Sequence, residues 1–367
     1  MTAESTPLPE LGFYVLPGHT ETPADAITEA RAGEDLGLGS AFISERFNVK
    51  DAGVLSGAVG AVTSRLGIAT AATNHNTRHL LATATMATTM HRLTGGRFAL
   101  GLGRGFDFMF DVINLPRITN AQIEDAVDVY RRLWHGEVIM GHSGPAGSYG
   151  VLHQDARFRE DIPVLLCALA EQTLERAGTY MDAVVLHTYF TDDTLARSVA
   201  AVRRGAEKAG RDPASVRVWS VLATIGDHLS HDMQVRKTVG RLATYLQGYG
   251  DLLARVNQWD PEVLTRFRAD DVVSSVPGAI DALATQEQLE HIASLFPDEW
   301  MAAAAVGTPA ACAARIVDQF DAGADSVIVH GVTPAEAEPV IGAYRSVRPE
   351  GFDALPANPG WMRAPAD

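Results

Sequence analysis

The residues of this chain best suited to proton transfer and charge recognition stand where short apolar runs end. Glu45 and Arg46 follow Ser40–Ser44, Thr73, Asn74 and His75 follow Leu66–Ala72, and Arg104 comes soon after Phe98–Leu102. His187 closes Ala183–His187 with Thr188 next to it, His330 closes Ser326–His330, and His19 lies just past Leu11–Leu16. Histidine titrates near neutrality and can take or give a proton at working pH. Glu45 beside Arg46 can hold its charge and accept hydrogen bonds from a ligand. Any one of these residues alone is ordinarily a cap or a loop residue. Their shared position at run ends is the signal.

Other chemistries lack their residues. His75 and His79 are four apart, compatible with zinc, but no carboxylate follows at metalloprotease spacing, so no metal site is expected. There is no Gly-x-Ser-x-Gly elbow, and Cys167 falls inside an apolar run, which leaves nucleophilic hydrolysis without its nucleophile. Gly101-Leu102-Gly103-Arg104-Gly105-Phe106 has the start of a dinucleotide loop, but Phe106 stands where the third glycine belongs. Small residues there still let a planar ring approach the backbone closely.

The elements that must position these residues are eight apolar runs: Leu11–Leu16, Ser40–Ser44, Leu66–Ala72, Phe98–Leu102, Pro163–Cys167, Ala183–His187, Val216–Ala223 and Ser326–His330. Continuous rather than alternating apolar character marks strands covered on both faces, hence a parallel sheet. Helical stripes lie between them: Ile123, Ala126, Val127, Tyr130, Leu133 and Trp134 behind a Thr119/Gln122 capping box; Leu195, Val199, Val202 and Ala206 before Gly210; and Cys312, Ile316 and Phe320. Eight strand–helix units predict an α/β fold, a (β/α)8 TIM barrel, over a doubly wound sheet. The reading is one barrel domain over 1–367, with its core at about 11–347. From about 231 to 300 helical patterns without a strand predict an insertion between strands 7 and 8, serving the substrate pocket or else packing and a dimer contact. Residues 1–9 and 349–367 read as loosely held tails.

Composition agrees with a globular enzyme: of 367 residues, 46% are hydrophobic and 20% charged. The net charge of -15 speaks against nucleic acid as a partner. Two cysteines far apart, no leader-like segment in Met1–Pro9 and no apolar run long enough for a membrane predict a cytoplasmic protein.

The most specific stretch is Thr73-Asn74-His75-Asn76-Thr77-Arg78-His79, followed by Leu93-Thr94-Gly95-Gly96-Arg97-Phe98-Ala99-Leu100-Gly101-Leu102-Gly103. With Ser44-Glu45-Arg46-Phe47, Ala168-Leu169-Ala170, Asp182–Leu186 and Gly307-Thr308-Pro309, it resembles the luciferase-like barrel family. Within that family it is most similar to the branch of methylenetetrahydromethanopterin reductase and the deazaflavin-dependent dehydrogenases. The resemblance implies an oxidoreductase that uses coenzyme F420, with FMN the alternative cofactor. It implies a non-prolyl cis peptide between Ala71 and Ala72 behind the cofactor ring, Glu45 near the ring edge, and a cofactor phosphate at Ala168, Leu169, Ala170 and Glu171. Glu171 is awkward there, because a carboxylate repels phosphate unless its side chain turns away. Thr73, Asn74, Gly103, Arg104, Gly105 and His187 complete the expected cofactor contacts.

Two departures bear on mechanism. Arg46 stands where the dehydrogenase members carry a base-like histidine, and Phe106 where they carry a glutamate. The resemblance then implies reduction of an activated C=C or C=N bond rather than alcohol oxidation. Glu45, Arg46, His75 and His187 are the expected catalytic groups, with His330 a further proton source. An FMNH2-dependent luciferase-like monooxygenase and a catalytically silent ligand-binding barrel remain as other readings. A small-molecule substrate and a homodimer are the expected partners.

Overall fold

Eight parallel strands close on one another in the computed structural model, which describes residues 6–47 and 49–364. In chain order the strands are β1 (Leu8–Tyr14), β2 (Leu38–Ile43), β3 (Gly67–Thr70), β4 (Phe98–Gly103), β5 (Ile139–Gly144), β6 (Gly147–Leu152), β7 (Val164–Cys167), β8 (Ala183–Val185), β9 (Arg217–Gly226), β10 (Ala305–Gly307) and β11 (Ser326–His330). The barrel runs β1-β2-β3-β4-β7-β8-β9-β11 and returns to β1, every pair parallel. All eight apolar runs of the sequence became barrel strands. The interior offsets two large rings, Phe42 and Trp219, 4.8 Å apart and edge-on, against Ala69, Ala71, Ala99 and Ala183.

Helices lie between the strands as their stripes predict. The helix Asn120–Trp134 opens on the Thr119/Gln122 capping box and buries its apolar face. The helix Asp192–Lys208 is capped by Thr191 and buries Leu195, Val199 and Val202. Two structures were absent from the sequence reading. The antiparallel hairpin β5–β6 lies outside the barrel and buries little beyond Ile139 and Leu152, so it has no apolar run to read. Three-residue β10 extends the end of β9 and is too short for a pattern.

Between β9 and β11 the chain forms a series of helices from His231–Val235 to Asp298–Met301, held by their own aromatic cluster of Trp259 stacked on Trp300 at 4.4 Å with Phe296 beside them. The long helix Arg241–Asn257 breaks at Tyr249, whose φ/ψ of -155°/35° is non-helical.

The expectation of loose tails is corrected for the described residues. Leu8 and Pro9 belong to β1, with Leu8 fully buried because it packs in the core. The C-terminal segment seals the barrel floor: Trp219 Nε1 donates to Pro359 O at 2.8 Å, and Asn358 Nδ2 donates to Gly96 O at 2.7 Å and Phe98 O at 2.9 Å. Asn358 and the Pro359 carbonyl supply these bonds in a segment whose Pro-rich composition alone reads as loose. Residues 1–5 and 365–367 of the expected tails lie outside the described residues. Among the described residues, no helix is long and apolar enough to cross a membrane.

Candidate active site

The C-terminal ends of the barrel strands meet in one mouth, and Glu45 ties two of them together. Its amide donates to Ala72 O at 3.0 Å. Its carboxylate accepts from the Ala52 amide at 3.1 Å, Thr73 Oγ1 at 2.8 Å and Arg78 Nη1 at 2.8 Å. Arg78 reaches on to Asp51. The expectation that Glu45 offers acceptors to a ligand is thereby narrowed, since protein donors engage both its oxygens. A cavity of about 450 Å³ opens beside this hub, lined by Glu45, Phe47, Val49, Lys50, Asp51, Thr77 and Arg78.

The ends of β3 and β4 form a shelf of small residues. The Ala71–Ala72 peptide is cis, where the resemblance puts it. The Thr73 amide donates to Gly101 O and the Gly103 amide to Thr73 O, while Asn74 Nδ2 donates to Gly103 O at 2.7 Å. A Cβ on Gly103 would stand 2.8 Å from Ala72 Cβ, so the two backbones approach this closely only because position 103 is glycine. Beyond the shelf, Gly105 takes φ +65° and Phe106 stacks on Tyr249 at 5.0 Å.

On the far side stand His187 and His330. His187 Nδ1 lies 2.7 Å from Thr188 O and its Nε2 2.7 Å from the Tyr249 hydroxyl. Burial pulls its pKa down to about 4, against the opposing effect of the Thr188 bond, so the ring is neutral at pH 7. A carbonyl can only accept, which assigns the proton to Nδ1 and leaves Nε2 to accept from Tyr249. His330, edge-on to Tyr14 at 5.2 Å and 3.4 Å from Thr188 Oγ1, is also buried. Burial, then the neighbouring Arg241, His187, Arg46 and Lys50, push its pKa well down. Cys167, at the end of β7, has its thiol raised by burial to about 12.

Three sequence candidates have partners outside this group of residues. His75 is buried with its pKa lowered by burial, and the charge acting on it is Asp125 of the helix Asn120–Trp134. Arg104 turns aside to donate to Ile118 O at 2.9 Å. Glu171, which opens the helix Glu171–Tyr180, swings out to Arg204 at 2.6 Å. Its carboxylate therefore leaves the loop Ala168–Ala170 free of negative charge, which removes the conflict with a phosphate there. Conversely, Tyr14, Arg241, Tyr245 and Tyr249 line the mouth without having been singled out. Arg241, Tyr245 and Tyr249 recur every four residues, the spacing of one helix face, and that was the available signal. Among the described residues no group of His, Cys, Asp and Glu has a metal-binding arrangement.

This architecture has known counterparts. The chain is 25% identical over 317 residues to 5,10-methylenetetrahydromethanopterin reductase of Methanolobus tindarius, an alignment covering 83% of this chain and 91% of that protein. Its fold superposes with a TM-score of 0.78 on the coenzyme F420-dependent tetrahydromethanopterin reductase from Methanopyrus kandleri, at 20% identity, covering 92% of this chain and 99% of that one. An F420-dependent secondary alcohol dehydrogenase solved with an F420–acetone adduct gives a TM-score of 0.69 at 17% identity, covering 93% of this chain and 99% of that chain. The luciferase-like monooxygenase family model matches residues 10–326, and the chain belongs to that family.

Proposed function

We propose that the chain is an F420-dependent oxidoreductase that reduces an activated C=C or C=N bond of a small organic molecule. The observation that carries this is the shelf of small residues where Gly103 packs against Ala72, with no side chain larger than a methyl between them, at the mouth of a barrel whose fold is shared by F420-dependent enzymes. Ala71, Ala72, Thr73, Asn74, Gly103 and Gly105 would hold the deazaflavin ring, and Ala168, Leu169 and Ala170 its phosphate, with Glu171 held out by Arg204. When bound, that cofactor supplies a hydride.

The chain's own groups do the rest. Phe106 and Tyr249 stack to form one wall of the mouth. Neutral His187 Nε2 accepts a hydrogen bond from the Tyr249 hydroxyl and so positions that hydroxyl, whose proton would go to the atom left negative by hydride addition, with solvent returning it to the phenolate. Alcohol oxidation needs a base poised to take the hydroxyl proton. Where the dehydrogenase members have that histidine this chain has the cation Arg46, and where they have glutamate it has Phe106.

Titration of the purified chain with F420 and, separately, FMN under identical conditions tests the reading. Micromolar or tighter binding of F420 with much weaker FMN is the expected result. Preference for FMN moves the chain to the monooxygenases, and binding of neither leaves a ligand-binding barrel.

A further inference from the structure

Two guanidinium groups meet at the mouth with one carboxylate for the pair among the described residues. Arg46 Nη1 donates to Gly18 O at 2.5 Å, and a Cβ built on Gly18 would stand 3.1 Å from Arg241 Nη2, so both heads flank the same glycine. The carboxylate is Asp281, and it pairs with Arg241 rather than with Arg46. One of its oxygens lies 2.8 Å from Arg241 Nη1, and the other accepts from Thr244 Oγ1 at 2.9 Å and meets His19 Nε2 at 3.1 Å. Glu45, adjacent to Arg46 in sequence, is turned into Thr73, Arg78 and the Ala52 amide. Nearby Lys50 spends its ammonium on Val15 O and Leu16 O.

Among the described residues, Arg46 therefore has a single acceptor, the Gly18 carbonyl, for a group that carries several N–H donors. The titratable neighbours that act on it are Arg241, Tyr245 and Asp281. The charges acting most strongly on His330 are Arg241, His187, Arg46 and Lys50, with Tyr14 edge-on to its ring, and the acids beside this group are Asp281 at Arg241 and Glu29 at Lys50. A chain of net charge -15 thus keeps a cationic recess at its mouth. Removing a guanidinium from water is costly unless an anion and matched acceptors compensate it. A donor needed only to tie down Gly18 would not require a full charge.

We propose that Arg46 and Arg241 form a subsite for an oxyanion of the substrate, a carboxylate or a phosphate. The molecule acted on at the mouth is therefore anionic. This rests on the mouth being the place of hydride transfer, as proposed above.

Calorimetric titration of the full chain with benzoate, phenyl phosphate and neutral benzamide, with and without saturating F420, tests it. Benzoate or phenyl phosphate should bind at least about tenfold more tightly than benzamide, and Arg46→Gln should lose about that factor while Arg46→Lys keeps part of it. The stronger of the two anions identifies which oxyanion the subsite takes. Equal binding of benzamide overturns the proposal, as does an unchanged affinity in folded Arg46→Gln. If Arg46→Gln fails to fold, the anion-to-amide ratio on the unaltered chain still decides. Displacement of the anion by F420 also overturns it, because the pair would then hold the cofactor's own phosphate. If F420 does not bind but the anion binds through Arg46, the subsite stands and the cofactor reading falls.

Discussion

The floor and the mouth of this barrel each hold an arginine, fully buried at the floor and half-buried at the mouth, and they treat it in opposite ways. At the floor, Arg217 Nε donates to Ser326 Oγ at 2.9 Å and Nη2 to Pro9 O at 2.7 Å, while Nη1 reaches Trp361 O and Asn358 O at 3.3 and 3.4 Å. Its guanidinium also lies 4.3 Å over Trp219, and the C-terminal segment closes the space beneath. At the mouth, Arg46 has one carbonyl among the described residues. Matched donors mark a region that exists to hold shape. Unmatched donors, with neutral buried histidines and rings around them, mark a region arranged for a molecule other than the chain itself. This is the division of labour expected of a (β/α)8 barrel, whose chemistry sits at the C-terminal ends of its strands.

The largest effect should come from the floor. Arg217→Met leaves Pro9 O and Ser326 Oγ without their donor, and a loss of about 3–5 kcal/mol is expected in urea denaturation, the range for breaking a buried charged network. A loss below about 1 kcal/mol, ordinary for surface substitutions, would break the comparison.

Next comes pH. His187 has a folded pKa of about 4 against an ordinary value of 6.5, so above 6.5 it is neutral in both states and its contribution to stability is complete. As pH falls from 6.5 toward 4 the unfolded chain takes the proton first, and stability is lost, up to about 3 kcal/mol from this group. His330 acts in the same direction. Thermal melts between about pH 7.5 and 4.5 should therefore slope downward, and His187→Gln should flatten the slope. Identical slopes in both proteins would show that burial of His187 is not what the mouth responds to.

The smallest stability effect should be that of Arg46→Gln, within about 0.5 kcal/mol by denaturation, because only one hydrogen bond is lost and a desolvated charge is relieved. A loss comparable to that of Arg217→Met would make Arg46 a structural residue and erase the contrast between the two ends.

Much of the fold was legible in the residues themselves. Strands buried on both faces must be apolar throughout, which made Leu66–Ala72 or Ser326–His330 conspicuous. Thr119 and Gln122 announced a helix start because the cap is a local hydrogen-bond pattern. The hairpin β5–β6 escaped, since a strand pair on the surface has no buried face to declare it. For the site, the ends of runs located Glu45, Arg46, His187 and His330 at one mouth. The same reasoning gave no direction for the side chains of Arg104 and Glu171, which bond Ile118 O and Arg204, because a side chain's position on the backbone does not say which way it turns.

By itself, then, the sequence determined the barrel, the order of its strands along the chain, the small residues of the shelf and the family. These follow from local hydrophobic pattern, caps and motif. Only the tertiary structure decided that Glu171 turns to Arg204, that the kinked helix brings Tyr249 onto His187, and that Arg46 and Arg241 converge on Gly18 across 195 residues of chain. Orientation and pairing of polar side chains depend on partners distant in sequence, and burial sets both their charge state and what they leave unpaired.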